Sequence, residues 1–227
     1  MNGPELWLIG GPNGAGKTTL CSAEAFQSQL DGLRFLNPDQ ITLQLLRQRG
    51  FASFADTPAD VLREANIEAA DRVLQELVNG VGNGQFMGVE TVLSTAKYKP
   101  LVTTARTLGG RFYLIYVSLA SPALSLERVQ RRVRQGGHDV PADRLAERWH
   151  RSLQVLPWFA AHADDFWIFD NSDSERCPPT LLARGWRLDS GETQMELPCP
   201  NFDSPVMQVL RRCPFTLLPT SDTEPSI

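Results

Sequence analysis

The chain predicts an α/β fold, a mainly parallel sheet flanked by helices, and three observations predict it. Short apolar segments of strand length alternate with longer stretches of helical spacing from residue 5 to residue 170, the pattern of successive βαβ units. The run 111–119 (RFYLIYVSL) is almost continuously apolar, as a central strand covered on both faces must be. A glycine-rich loop, 10–19 (GGPNGAGKTT), joins the first apolar segment to the first helical stretch, and strand–loop–helix is the context in which such a loop binds phosphate.

Taken in order, residues 5–9 (ELWLI) read as a short buried strand and 17–29 as a helix with few breakers. Residues 33–36 form a second strand, ending at Asn37-Pro38-Asp39, and Pro38 opens a helix that Gly50 closes. Thr57-Pro58 starts another helix, with Val61, Leu62, Ala65, Ala69, Val73 and Leu77 on one face. It is expected to end near Val78, before Gly80, Gly82 and Gly84. Residues 86–93 are the third strand and 99–108 a helix stopped by Gly109-Gly110. After the fourth strand, 111–119, Ser121-Pro122 caps a helix that runs to Gln135 and stops at Gly136-Gly137. A link, 138–141, leads to a helix over 142–162, expected to kink or break at Pro157. Residues 166–169 are the fifth strand, followed by Asp170-Asn171-Ser172. Beyond Cys177-Pro178-Pro179 the character changes. Segments 186–188 and 193–197 flank Asp189-Ser190-Gly191-Glu192 and suggest a C-terminal hairpin, with a loose tail rich in Pro, Ser and Thr after it. The expected organisation is one domain over 1–172 and an extension over 173–227.

The 227 residues are 42% hydrophobic and 21% charged, the composition of a globular protein with a real core. No signal peptide and no apolar run of membrane-spanning length is evident, so the expectation is a cytoplasmic protein without a membrane partner. Cys21, Cys177, Cys199 and Cys213 lack metal-ligand spacing and read as free thiols in a reducing compartment. A net charge of −4 argues against general nucleic-acid binding. Basic residues are nonetheless uneven: lysine occurs only at 17, 97 and 99, while seven arginines fall between Arg128 and Arg151.

The loop carries the most specific chemistry. From Gly11 it reads G-x-x-x-x-G-K-T through Pro12, Asn13, Gly14, Ala15, Gly16, Lys17 and Thr18, followed by Thr19. Glycines let backbone N–H groups point at phosphate oxygens, and the helix N-terminus adds its positive dipole end. Lys17 is expected to reach the β- and γ-phosphates of ATP and the Thr18 hydroxyl to ligate Mg²⁺. Asp39 follows the second strand, 22 residues after Lys17. It suits either a base that accepts a hydroxyl proton or a first-turn carboxylate facing the helix dipole. Glu90, with Thr91 beside it, sits in an otherwise apolar strand, where a carboxylate is costly unless paired. It is read as a metal or substrate contact, against the alternative of a solvent-facing edge residue. Arg128, Arg131, Arg132 and Arg134 precede Gly136-Gly137, and Arg144, Arg148 and Arg151 follow it. Two arginine-bearing helices about a Gly-Gly hinge look like a lid over a triphosphate, some of the seven being solvated surface. Asn171 is read as an adenine contact or as part of an Asx-turn. His138, His150 and His162 are assigned no chemistry.

The chain has no L-S-G-G-Q signature of ABC-type ATPases and no N-K-x-D of GTPases. The ordered set G-P-N-G-A-G-K-T-T, N-P-D-Q-I (37–41), E-T-V-L-S (90–94), R-V-Q-R-R-V-R-Q-G-G-H-D-V-P (128–141) and D-N-S (170–172) resembles the zeta toxin family, in its chromosomal zeta-like branch. That resemblance spans residues 5–172. It implies a P-loop kinase with an arginine lid that moves the ATP γ-phosphate, with Mg²⁺, to a hydroxyl of a nucleotide sugar such as UDP-N-acetylglucosamine. A protein antitoxin would be its partner. It implies Asp39 as general base, Lys17 and Thr18 on phosphates and Mg²⁺, and Glu90 and Thr91 on the acceptor. Arg134 and Arg144 would lie on the transferred phosphoryl, and Arg128, Arg131 and Arg148 elsewhere in the lid. Two other classes stay open: a kinase for another small molecule or a polynucleotide hydroxyl, and a non-catalytic module in which ATP sets conformation.

Overall fold

The computed structural model of the chain describes residues 3–21, 30, 32–137, 140–173 and 178–218. The expectations placed on 22–29, on His138 and Asp139, on Cys177 and on the last nine residues lie outside the described residues. The strands are β1 (Glu5–Gly10), β2 (Arg34–Leu36), β3 (Phe86–Glu90), β4 (Arg111–Ser118), β5 (Asp165–Asp170), β6 (Thr180–Arg187), β7 (Thr193–Glu196) and β8 (Thr216–Leu217). The helices are α1 (Lys17–Cys21), α2 (Pro38–Gln48), α3 (Ala59–Gly82), α4 (Lys99–Thr107), α5 (Pro122–Arg134), α6 (Ala142–His162) and α7 (Pro205–Leu210).

All eight strands join one sheet in the order β2-β3-β1-β4-β5-β6-β7-β8. The first five are mutually parallel; β6 and β7 run antiparallel as the expected hairpin, and β8 lies parallel to β7. This is an α/β fold with a mostly parallel sheet flanked by helices. The chain leaves β1 toward the β3–β2 side and later returns to the β4 side. The carboxyl end of β1 is therefore the switch point at which such sheets bind ligands.

Each strand of the parallel block sends alternate residues to opposite faces. On one face Leu6, Leu8, Met87, Val89, Phe112, Leu114, Tyr116, Phe166 and Ile168 pack under α3, α4, α6 and α7. On the other, Trp7, Ile9, Tyr113, Ile115, Val117 and Phe169 pack with Ala15 and Leu20 behind the glycine-rich loop. Trp7 stacks on Tyr113 with ring centres 4.3 Å apart and lies parallel to Trp167 at 6.0 Å.

Several boundaries differ from the sequence reading, each for a packing reason. Helix α3 continues to Gly82 instead of ending near Val78. Gly80 is inside it because a Cβ there would lie 2.3 Å from Met87 Sδ, so this glycine permits helix–sheet contact rather than breaking the helix. The turn comes at Gly84, where φ is +73°. Helix α6 runs unbroken through Pro157. The third strand stops at Glu90, and residues 91–94 turn, with Leu93 held at φ +54°. The hairpin begins at Thr180 rather than 186; α7 opens on Ser204-Pro205, a cap-and-proline start like Ser121-Pro122 to which the sequence reading assigns no helix, and β8 is two residues long. Cys21, Cys199 and Cys213 are free thiols, as expected. Among the described residues no helix is long and apolar enough to cross a membrane.

Candidate nucleotide-binding and phosphoryl-transfer site

The loop at 10–17 follows β1 at the switch point. At Gly11, φ is +142° and a Cβ would sit 2.2 Å from Val117 O; at Gly16, φ is +84° and a Cβ would meet Asn171 Nδ2 at 2.6 Å. Both positions have a left-handed backbone that favours glycine; at Gly11 the neighbour is backbone and leaves no room for a side chain, and at Gly16 it is the Asn171 amide. Three partners from distant elements hold the loop. Asn171 Nδ2 donates to Ala15 O at 2.9 Å, Ser125 Oγ of α5 donates to Asn13 O at 2.6 Å, and the α5 backbone flanks Gly14.

Lys17 opens α1 and turns back over the loop, its ammonium donating to Gly11 O at 2.9 Å and Pro12 O at 3.0 Å. It is 7% exposed. Burial holds its pKa below the ordinary lysine value, opposed by the carboxylates of Glu90 and then Asp39, with the Arg132 charge acting in the same direction as burial. Both carboxylates picked out on separate strand ends therefore share the field of Lys17.

The register Ile9↔Glu90 sets Glu90 beside the last residues of β1. There Glu90 Oε2 accepts from Thr18 Oγ1 at 2.8 Å and from Asn37 Nδ2 at 3.0 Å. Asn37 caps α2: its Oδ1 accepts from Asp39 N at 2.9 Å and Gln40 N at 3.4 Å. Asp39 is exposed in the first turn of α2. Thr91 N donates to Ile9 O, and Thr91 Oγ1 accepts from Leu93 N at 3.0 Å, so its hydroxyl oxygen shapes the turn after β3.

The arginines divide. Arg128 is 6% exposed and donates to Asp173 O at 2.8 Å, which makes it part of the wall beneath the loop. Arg148 is half-buried; burial and then the charges of Arg144 and Arg151 lower its pKa, and the Asp39 carboxylate opposes them. Arg132 is the α5 arginine whose charge is felt at Lys17. Arg134 and Arg144 are exposed, Arg131 is half-buried, and Arg151 pairs with Glu147 at 3.4 Å. Helix α6 is pinned to the sheet: Trp149 Nε1 donates to Leu119 O at 3.1 Å, and the Tyr116 and Ser152 hydroxyls meet at 2.7 Å. Val129, Val140 and Leu145 tie α5 to α6. After β5, Asp170 Oδ1 accepts from Ser172 N at 2.9 Å, an Asx-turn, while Asn171 faces the loop backbone.

The sequence assigns no role to Asn37 or Ser125, and it places Arg132 only as one of the seven arginines about the Gly-Gly hinge. Only Asn37 carried a local signal, as a cap residue before Pro38-Asp39. Among the described residues no group of three His, Cys, Asp or Glu side chains could hold a metal ion unaided. The Thr18 hydroxyl and Glu90 carboxylate, 2.8 Å apart, are the hard oxygen donors that suit Mg²⁺ arriving with nucleotide phosphates.

A family model described as an AAA domain matches residues 6–156. The chain belongs to that family. The matched span contains the whole loop, Asp39, Glu90 and all seven arginines from Arg128 to Arg151. No curated protein matches the chain. Among solved structures, a chain of the AvrRxo1-ORF1:-ORF2 complex is 16% identical with a TM-score of 0.61, over 94% of this AAA-domain chain and 64% of that one. The same complex with ATP gives 16% identity and a TM-score of 0.56, over 81% and 58%. The PezAT chromosomal toxin–antitoxin system of the human pathogen Streptococcus pneumoniae is 17% identical with a TM-score of 0.52, over 75% and 70%. At these identities the likeness is one of fold. The chain spans less than two thirds of the AvrRxo1-ORF1:-ORF2 chain's length.

Proposed function

We propose that the chain is an ATP-dependent phosphotransferase of zeta-toxin type that phosphorylates a hydroxyl of a nucleotide sugar, UDP-N-acetylglucosamine being the first candidate. One observation carries the reading: a continuous set of hydrogen bonds runs from Thr18 through Glu90 and Asn37 to the end of α2 that bears Asp39. A module that only binds ATP needs the loop and Lys17; it has no need of a carboxylate held at a fixed offset from them.

In this reading the Lys17 ammonium exchanges its two loop carbonyls for β- and γ-phosphate oxygens. Thr18 and Glu90 would hold Mg²⁺, which when bound neutralises phosphate charge. Asp39 accepts the proton of the acceptor hydroxyl. The acceptor oxygen forms the new bond to the γ-phosphorus as the bond to the β–γ bridging oxygen breaks, and ADP leaves with that oxygen. Arg132 and Arg148, with Arg134 and Arg144 further along the same helices, supply positive charge to the transferred group. Thr91 and Glu90 line the acceptor side, and Asn171 supports the nucleotide loop. The resemblance to a toxin–antitoxin structure supports a protein antitoxin as partner, and a cytoplasmic setting follows from such a role. Residues 1–172 form the catalytic unit and 173–227 an extension whose hairpin prolongs the sheet.

The test is mass spectrometry of a nucleotide-sugar panel incubated with the protein and Mg-ATP, with Lys17→Ala as the blank. One added phosphoryl group on a panel member, absent from the blank, is the expected result; transfer to none of them overturns the acceptor. Asp39→Asn is expected to lower turnover at least about 100-fold with ATP affinity retained, and full activity in that variant removes Asp39 from its role.

A further inference from the structure

We propose that Asn37 is a positioning residue that sets the nucleotide end and the acceptor end of the site in register through one side-chain amide, a proposal that rests on the phosphotransferase reading above. The amide is used at both ends. Its NH₂ donates to Glu90 Oε2 at 3.0 Å, the same oxygen that takes the Thr18 hydroxyl at 2.8 Å. Its carbonyl oxygen accepts the Asp39 and Gln40 backbone N–H groups. The orientation is dictated by the partners. The flipped amide would set its oxygen against a carboxylate and its NH₂ against two N–H donors, losing every bond.

This double use separates Asn from other cap residues. Ser and Asp cap a helix about as well. The serine side chain ends at a single oxygen and cannot stand at both positions. Aspartate reaches both, but sets a second carboxylate oxygen where Glu90 requires a donor. Asn37 therefore does two things that a cap does not. It holds the Glu90 carboxylate toward the Thr18 hydroxyl, the pair of oxygens proposed above for the metal ion. It also ties the α2 terminus, and with it Asp39, to that same carboxylate. Glu90 is reached from β3, Thr18 from α1 and Asp39 from α2, so no backbone hydrogen bond could provide this link.

The experiment compares Asn37→Ser and Asn37→Asp with the wild-type chain. Both variants keep the cap, and their melting temperatures are expected to stay within a few degrees of wild type. ATP affinity is measured by calorimetry with and without Mg²⁺. The expected result is that metal-free affinity is unchanged, while the factor by which Mg²⁺ tightens ATP falls about tenfold in both variants, the size of effect seen when a metal ligand loses its support. With an acceptor in hand, kcat falls by a similar factor while the acceptor KM holds. Two results overturn the proposal: variants that keep the wild-type Mg²⁺ factor, which leaves Asn37 a cap and nothing more, and metal-free affinity that falls in step with the metal-loaded value, which marks general damage. A wild-type chain that binds Mg-ATP but transfers to nothing defeats the phosphotransferase reading, while the Mg²⁺ factor still decides the role of Asn37.

Discussion

Replacing Glu90 by Gln keeps the side chain's length and one acceptor oxygen while removing its charge. Two donors converge on Oε2, the Thr18 hydroxyl at 2.8 Å and the Asn37 amide at 3.0 Å. A hydrogen bond to a charged acceptor contributes roughly 1.5–3 kcal/mol and one to a neutral acceptor about 1 kcal/mol. The site is half open to solvent, so the low end applies, and about 1 kcal/mol is lost across the two bonds. For a chain of this size that lowers Tm by about 2–4 °C. The larger effect falls on Lys17. Burial pulls its pKa down, and Glu90 is the strongest of the charges that hold it up. Glu90→Gln therefore moves the Lys17 pKa further down. Phosphate binds the ammonium form, so ATP affinity is full below the pKa of the free protein's lysine and declines as pH rises through it. In the variant that decline starts at a lower pH. The assay is ATP affinity from neutral to strongly alkaline pH without Mg²⁺, with Lys17→Ala as the floor and melting curves run alongside. A decline at the same or a higher pH than wild type refutes the argument. So does a stability loss well above about 3 kcal/mol, which would make Glu90 an essential structural contact instead.

Arg132→Ala is expected to lower kcat/KM about tenfold or more, since the Arg132 charge acts on Lys17; Arg134→Ala, exposed and at the end of α5, is expected to cost less, and an equal or larger loss there refutes this ranking of the two arginines. Tyr116→Phe is expected to cost about 1–2 kcal/mol in a melting or denaturant assay, because the Ser152 hydroxyl, fully buried and 2.7 Å away, loses its partner. Adding Ser152→Ala should recover a large part of that cost, and strict additivity of the two changes would show that the hydroxyls do not act as a pair.

Much of the fold and of the site was legible in the linear pattern because it rests on local physics. The loop at 10–19 announces itself: a left-handed turn packed against backbone admits only glycine, and the strand before it and helix after it carry their own periodicities. The same holds for the five parallel strands and for Asp39 and Glu90, which stood out as carboxylates at the ends of apolar segments. What remained hidden depends on contacts between distant segments. Gly80 looks like a helix stop until Met87 packs on it. The role of Asn37 exists only because the register Ile9↔Glu90 sets a carboxylate within reach of a cap. Arg132 and Arg134 differ by two positions, which on a helix is more than half a turn, and only the docking of α5 beside the loop decides which faces Lys17. The first residues of the hairpin and the two-residue β8 take their order from pairing within the sheet, an interaction that no short window of sequence contains, whereas the short α7 has a local start at Ser204-Pro205 but is held by packing against the sheet. Local propensity and periodicity thus determined the elements and the phosphate loop, while strand register and helix docking decided which side chains meet across them.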